Sequence, residues 1–184
     1  MINNRINISS NSPWEEILEK IDFKELINNL IDNRSDLINN KNINLKFEYN
    51  NLNDYLIDGD KVLLELIISN VLGNAIKYSG DKGNVLITLE SEENILIFAI
   101  SDSGIGIPEK EIKMIFKQFY RASNLNGKKV DGSGLGLSLV KEIVERLNGS
   151  ININSPSTIG NTLNPGTVVR IILPTKQKSN SEKI

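Results

Sequence analysis

The chain has 184 residues, a formal net charge of −2 and a pI near 5.3, a length that supports one domain with a single sheet-based core and an acidity that excludes a general nucleic-acid or polyanion surface. With no Cys there is neither a disulfide framework nor a thiolate metal site, and with no His there is no imidazole base, no imidazole ligand and no residue on which a phosphohistidine can form. No apolar run reaches the length of a membrane span and residues 1–12 are too polar for a signal peptide, so the expectation is a soluble, cytoplasmic chain without a membrane segment.

Residues 1–19 read as a linker or the end of a preceding helical domain: 1–12 are rich in Asn and Ser without periodicity, and Pro13 then precedes Trp14, Ile17, Leu18 and Ile21 at helical spacing. Leu26, Ile27, Leu30, Ile31, Leu37 and Ile38 predict one amphipathic helix over 23–38. Ile43, Leu45, Phe47 and Tyr49 alternate with Asn44, Lys46 and Glu48, the pattern of a half-buried strand. Asp58-Gly59-Asp60 predicts a turn whose second carboxylate caps a helix over 60–78. That helix is apolar around most of its circumference, with Glu65, Ser69 and Gly73 expected as a narrow solvent edge. Strands at 85–89 and 95–100 follow, joined through Glu93-Asn94 as a hairpin, the second apolar on both faces and so expected inside the sheet. Pro108 and Glu109 open a short helix that ends near Phe116, Phe119 and Tyr120, and 122–132 is a polar loop expected to be mobile. A helix over 134–147 is closed by Asn148-Gly149, a short strand holds Ile151 and Ile153, a long loop covers 155–165, a last strand runs over 168–173, and 176–184 is a charged tail expected to be disordered. Helices gathered on one face of a sheet are the architecture this order implies.

Three stretches carry chemistry. On the helix over 60–78, Asn70 and Asn74 lie within about 40° of each other and Lys77 follows one turn on, a stripe suited to a metal with phosphates, or else an ordinary solvated pair of amides. Asp102 stands where the buried strand runs into Ser103-Gly104-Ile105-Gly106-Ile107; a carboxylate there accepts the exocyclic amine of adenine while the glycines let the backbone approach the base, or it forms a simple Asx turn. Gly132, Ser133, Gly134, Leu135, Gly136 and Leu137 precede a helix whose free N–H groups can hold phosphates, or else they form a simple flexible helix N-terminus. They fit neither a dinucleotide fingerprint, which needs GxGxxG after a strand, nor a P-loop, which needs Lys-Ser or Lys-Thr after the last glycine.

Taken together and in order, NVLGNAIKY at 70–78, DSGIGI at 102–107, FKQFYR at 116–121, GSGLGL at 132–137 and Gly166-Thr167 closely resemble the N, G1, F, G2 and G3 boxes of the catalytic ATP-binding domain of bacterial sensor histidine kinases, over about residues 20–175. The resemblance implies a Bergerat-type two-layer α/β sandwich with a mixed sheet, helices on one face and a mobile lid over ATP. It implies that Asn74 binds Mg²⁺, that Asn70 and Lys77 face the phosphates, that Tyr78 and Ile107 flank the nucleoside beside Gly104 and Gly106, and that Asp102 reads the adenine amine. It also implies that Arg121, next to Tyr120 in the lid, reaches the terminal phosphate, that 132–137 cradle the phosphates and that Thr167 supports the base pocket. Asn70, Lys77 and Arg121 are the catalytic candidates. In gyrase-type and mismatch-repair ATPases of the same fold a Glu stands four residues before the metal Asn and activates water; here that residue is Asn70, which cannot take a proton. Anti-sigma serine kinases share much of the fold, although FKQFYR is closer to the histidine kinases, and a pseudokinase would bind nucleotide and act through contacts alone. Sensor kinases carry the substrate histidine on a dimeric helical domain; this chain has none, so the implied partners are a separate histidine-bearing dimerisation domain and, downstream, a response regulator, with the isolated domain expected to be monomeric.

Overall fold

In the computed structural model, residues 19–50, 54–125 and 132–176 are described. The central helix, α3 (Lys61–Tyr78), starts where its sequence directs: Asp60 is in extended conformation and its carboxylate accepts from the N–H of Val62 at 2.8 Å and of Leu63 at 3.4 Å. Leu64, Ile67, Ile68, Val71, Leu72, Ala75 and Ile76 are buried. The expected solvent edge is partly covered: Glu65, Ser69 and Gly73 are half-buried, while Lys61, Val62 and Leu66 are exposed, Val62 at 62% and Leu66 at 36%. Ser69 is drawn in because the Arg34 guanidinium bonds to its hydroxyl and carbonyl.

That same arginine breaks the helix expected over 23–38. The chain forms α1 (Phe23–Asp32), capped by Asp22 accepting from Glu25 N–H at 3.0 Å, and then α2 (Ser35–Asn40). The interruption falls in the polar run Asp32-Asn33-Arg34-Ser35-Asp36, whose short side chains compete with helical hydrogen bonds, and Arg34 also donates to the α1 carbonyl of Leu30. Two further expectations change at this end of the molecule. Ile21 lies on a strand, β1 (Glu19–Asp22), and Asp58-Gly59 close a strand, β3 (Leu56–Gly59), instead of making a turn; the two pair antiparallel, Glu19 opposite Gly59. Trp14, Ile17 and Leu18 lie outside the described residues.

The main sheet has five strands: β2 (Asn44–Tyr49), β4 (Asn84–Glu92), β5 (Ile95–Asp102), β6 (Ser150–Asn154) and β7 (Val168–Pro174), in the order β2-β4-β5-β7-β6. β2 runs parallel to β4 and the other neighbours are antiparallel, so the sheet is mixed. β5 sits in the middle, as its two-sided apolar pattern requires: Leu96, Phe98 and Ile100 face α1 and α3, and Phe98 meets Phe23 edge-on with ring centres 5.5 Å apart. α4 (Gly136–Arg146) packs beside α3 on the same face. It ends as its Asn148-Gly149 signal directs, with Asn148 taking the left-handed conformation and Gly149 N–H bonding back to Val144 O at 2.9 Å. Thr175 is tied down, donating to Asn94 O and accepting from Asp58 N–H, while 177–184 lie outside the described residues.

Candidate functional site

Asn70, Asn74, Lys77 and Tyr78 are half-buried on α3 and form one wall of a cavity of about 290 Å³. From Asn70 to Tyr78 the helix rises about 12 Å, so the wall is long enough to serve an elongated ligand. Asn70 Nδ2 donates to Leu66 O at 2.8 Å. Its Oδ1 faces the start of α4, where a Cβ on Gly136 would lie only 2.6 Å away. Lys77 Nζ lies 4.6 Å from the centre of the Tyr78 ring and beside Gly132, whose missing side chain leaves room for the ammonium. The far end of the helix is held by Lys41, whose ammonium donates to the carbonyls of Ile76, Lys77 and Ser79 at 2.8, 3.1 and 2.8 Å and so satisfies the acceptors a helix terminus leaves open.

At the Tyr78 end stands Asp102, the last residue of β5 and 7% exposed. Its Oδ1 accepts from Gly104 N–H at 2.8 Å and Thr167 N–H at 3.2 Å, and among the described residues no donor reaches Oδ2. The Asx turn thus uses Oδ1 and leaves Oδ2 without a donor among the described residues. Burial pushes the carboxyl up to about 6 from 3.8, against the two N–H donors, which lower it. The backbone is pinned as well: Asp102 N–H donates to Thr167 O at 2.8 Å, and Ser157 Oγ donates to Asp102 O at 2.6 Å. Gly104 does not line the cavity; it is buried, and a Cβ there would sit 2.5 Å from Tyr78 O, so its role is to let α3 and β5 close on each other. Gly106, at φ +65°, and Ile107 do line it, with Ile107 N–H donating to Ser155 Oγ.

The opposite wall comes from 120–125 and 132–137. Tyr120, Arg121, Gly132, Ser133, Gly134, Gly136 and Leu137 all border the cavity, as does Thr167. Leu135 does not: it is 36% exposed and faces outward. Gly134, at φ +75°, accepts from Phe119 N–H at 3.0 Å, where a Cβ would lie 2.8 Å from that residue's carbonyl carbon. The first part of the loop expected to be mobile is packed, since Ala122 and Leu125 are buried. Glu111 anchors it by accepting from Ser123 N–H and Oγ, which holds the Glu111 carboxyl below the usual range. Residues 126–131, including Lys128 and Lys129, lie outside the described residues. Of the two marker phenylalanines, Phe116 packs against the core and Phe119 is 70% exposed.

Sequence reasoning missed Asn124, which lines the cavity and donates from Nδ2 to the carbonyls of Ile105 and Gly106 at 3.3 and 3.0 Å, joining the lid to the loop after β5. It also missed Ser155 and Ser157, which hold that loop from below. Alternating or helical periodicity marks none of these, because each acts from a loop on distant backbone. The apolar floor of Val71, Ala75, Ile100, Ile153 and Val169 was visible only as core pattern.

Comparison with known proteins gives one consistent picture. The profile of a family described as histidine kinase-, DNA gyrase B-, and HSP90-like ATPase matches residues 59–177. The chain is 34% identical over 128 residues to the sensor histidine kinase WalK of Bacillus subtilis (strain 168), covering 68% of this chain and 20% of that one. Among solved structures it superposes on the nucleotide-free catalytic domain of the histidine kinase ThkA with a TM-score of 0.74 at 25% identity, covering 86% of this chain and 98% of that one. It also superposes on ThkA in complex with the response regulator protein TrrA, with a TM-score of 0.69 at 26% identity over 86% of this chain and 42% of that one. The chain therefore spans about a fifth of the length of WalK.

Proposed function

The chain belongs to the histidine kinase-, DNA gyrase B- and HSP90-like ATPase family, as a domain of the histidine kinase type, and from that membership we propose that it binds Mg-ATP and transfers the terminal phosphate to a histidine on a separate helical dimerisation domain. The observation that carries this reading is the distribution of carboxylates. Asp102 is the only Asp or Glu among the described residues that line the cavity, and it stands at the Tyr78 end. At the other end position 70 is an amide whose Nδ2 is already engaged by Leu66 O. Among the described residues no carboxylate lines that end to draw a proton from water, which disfavours hydrolysis while the binding groups for a triphosphate remain.

In this reading Asp102 Oδ2 accepts the adenine amine, Ile107 and Tyr78 flank the base, and Thr167 fixes the carboxylate through its N–H. Lys77, Arg121 and the open N–H groups at the start of α4 face the phosphates, and Asn70 orients them. Among the described residues there is no cluster of three or more acidic or imidazole ligands for a metal, which suits Mg²⁺ held jointly by one or two protein oxygens, the phosphates and water. Asn74, a neutral carboxamide lining the cavity, is the residue that would hold the ion, whose contribution would be to neutralise charge on the transferring phosphate. Among the described residues no helix is long and apolar enough to cross a membrane, which is compatible with the cytoplasmic placement we assign to the domain. By analogy with ThkA, a response regulator is the proposed acceptor downstream.

The test incubates the chain with labelled ATP, alone and with a histidine-bearing dimerisation domain. Acid-labile phosphate on the partner and little free phosphate is the expected result. Rapid release of free phosphate by the chain alone, with no transfer, would overturn the kinase reading in favour of an ATPase.

A further inference from the structure

The loop after β5 is fastened twice, and one of the fastenings comes from the lid. Ser155 Oγ accepts from Ile107 N–H at 3.0 Å and donates to Gly166 O at 2.7 Å, while Gly166 N–H donates to Gly104 O at 2.9 Å. The second hold is Asn124, whose Nδ2 donates to Gly106 O at 3.0 Å and Ile105 O at 3.3 Å. Asn124 is the middle residue of a single 3-10 turn, Ser123–Leu125, whose place is set by other contacts. Ala122 and Leu125 are buried, Leu125 N–H bonds Ala122 O at 3.0 Å, and Ser123 is bonded to Glu111. The amide therefore joins a packed block of the lid to two successive carbonyls of the cavity loop.

The other atom of that amide bears on why an asparagine stands there. Its Oδ1 is buried and accepts nothing among the described residues. Turning the amide over would set Oδ1 against two carbonyl oxygens, so its orientation follows from its partners. A buried acceptor without a donor subtracts from stability, so packing alone does not account for residue 124, whereas donation to the loop does. We propose that Asn124 is a positioning residue that sets the base end of the cavity and the start of the lid as one unit. The carbonyls it holds belong to the two residues before Ile107, which flanks the base in the proposed nucleotide reading, and Arg121, assigned there to the phosphates, lies three residues before it. The inference rests on that reading. Its consequence is that filling the base end alone steadies residues 120–125, before any phosphate is met.

The experiment uses the whole 184-residue chain and adenosine, which fills the base end and carries no phosphate. Amide exchange followed by mass spectrometry should slow across residues 120–125 of the native chain when adenosine binds, and the slowing should vanish in Asn124→Ala and Asn124→Asp. In calorimetry Asn124→Ala should bind adenosine about tenfold more weakly. Asn124→Asp keeps the shape of the side chain but turns an acceptor toward both carbonyls, so it should bind at least as weakly; a residue that acted by packing alone would tolerate the change. Circular dichroism checks the fold of each variant, and the exchange measurement on the native chain decides the question even where a variant fails to fold. Adenosine binding that leaves exchange at 120–125 unchanged in the native chain overturns the proposal, as does Asn124→Asp binding adenosine like the native chain; both results leave the nucleotide reading standing. No adenosine binding by the native chain overturns that reading and this inference together.

Discussion

If Asp102 reads the base as proposed, adenine binding by this domain should weaken as the solution is acidified, with Asp102 setting the pH at which it does so. Its carboxyl titrates at about 6 because burial outweighs the N–H bonds from Gly104 and Thr167. Those bonds both end on Oδ1, so an added proton goes to Oδ2, the oxygen proposed to meet the base. Once protonated, Oδ2 presents a donor to the adenine amine, which is itself a donor. If only the ionised form binds, affinity falls by the fraction ionised, which between pH 7 and pH 5 is about tenfold for a group titrating near 6. Adenosine is the ligand to use in calorimetry, since it has no phosphate that titrates in the same range. Asp102→Asn should bind about 10- to 150-fold more weakly at pH 7, the worth of a hydrogen bond to a charged group, and should show no pH dependence between 7 and 5. Stability without ligand runs the other way. A folded pKa above the unfolded 3.8 means that this group's contribution is fully present below pH 4 and is lost as pH rises through about 6, an effect on the order of 3 kcal/mol from about two pH units. Adenosine affinity that is flat from pH 7 to pH 5 in the native chain would refute the reasoning.

Gly136→Ala should separate binding from folding: its Cβ would crowd Asn70 Oδ1, the end of a flexible side chain, so a melting curve should show stability unchanged or up to about 1 kcal/mol higher while nucleotide affinity drops about tenfold. Lys41→Met removes the ammonium shared by the Ile76, Lys77 and Ser79 carbonyls and should cost about 1 to 3 kcal/mol in denaturant titration, loosening the turn that carries Lys77 and Tyr78. Glu111→Ala takes away the acceptor for Ser123, and limited proteolysis should then cut faster between residues 120 and 133, with Mg²⁺ and an ATP analogue restoring part of the protection; equal cutting in both proteins would count against the anchor.

The helix α3, the central position of β5 and the hairpin at Glu93-Asn94 were legible because each follows from a local pattern: continuous apolarity, a capping carboxylate, a two-residue link. The cavity wall was legible for a different reason, since Asn70, Asn74 and Lys77 share one helical stripe and Asp102 closes a buried strand. What could not be read were interactions in which a side chain reaches backbone far along the chain. Arg34 splits a periodic helix in order to bond Ser69, and Lys41 caps a helix that begins 20 residues after it. The β1 and β3 pairing was hidden because four-residue strands carry too little alternation to outweigh a helical match that extended from Trp14 to Ile21. Leu135 lay inside a glycine-rich motif and was assigned with it, yet the turn that starts α4 carries its side chain to the outer face.

Thr167, one residue before β7, closes the Tyr78 end of the cavity by bonding Asp102 in both directions. The partner strand is β5, whose residue Ile100 pairs with Val169. During synthesis, therefore, α3, β4 and β5 leave the ribosome with the Asp102 carboxylate held only by the local Gly104 N–H and without its Thr167 donor. At about 5–20 residues per second, the intervening stretch takes several seconds to arrive. A nascent chain arrested before β7 should not retain nucleotide, whereas one arrested far enough beyond it to expose β7 should. On the proposed reading, nucleotide would select chains whose last strand has already docked and would not template the earlier steps.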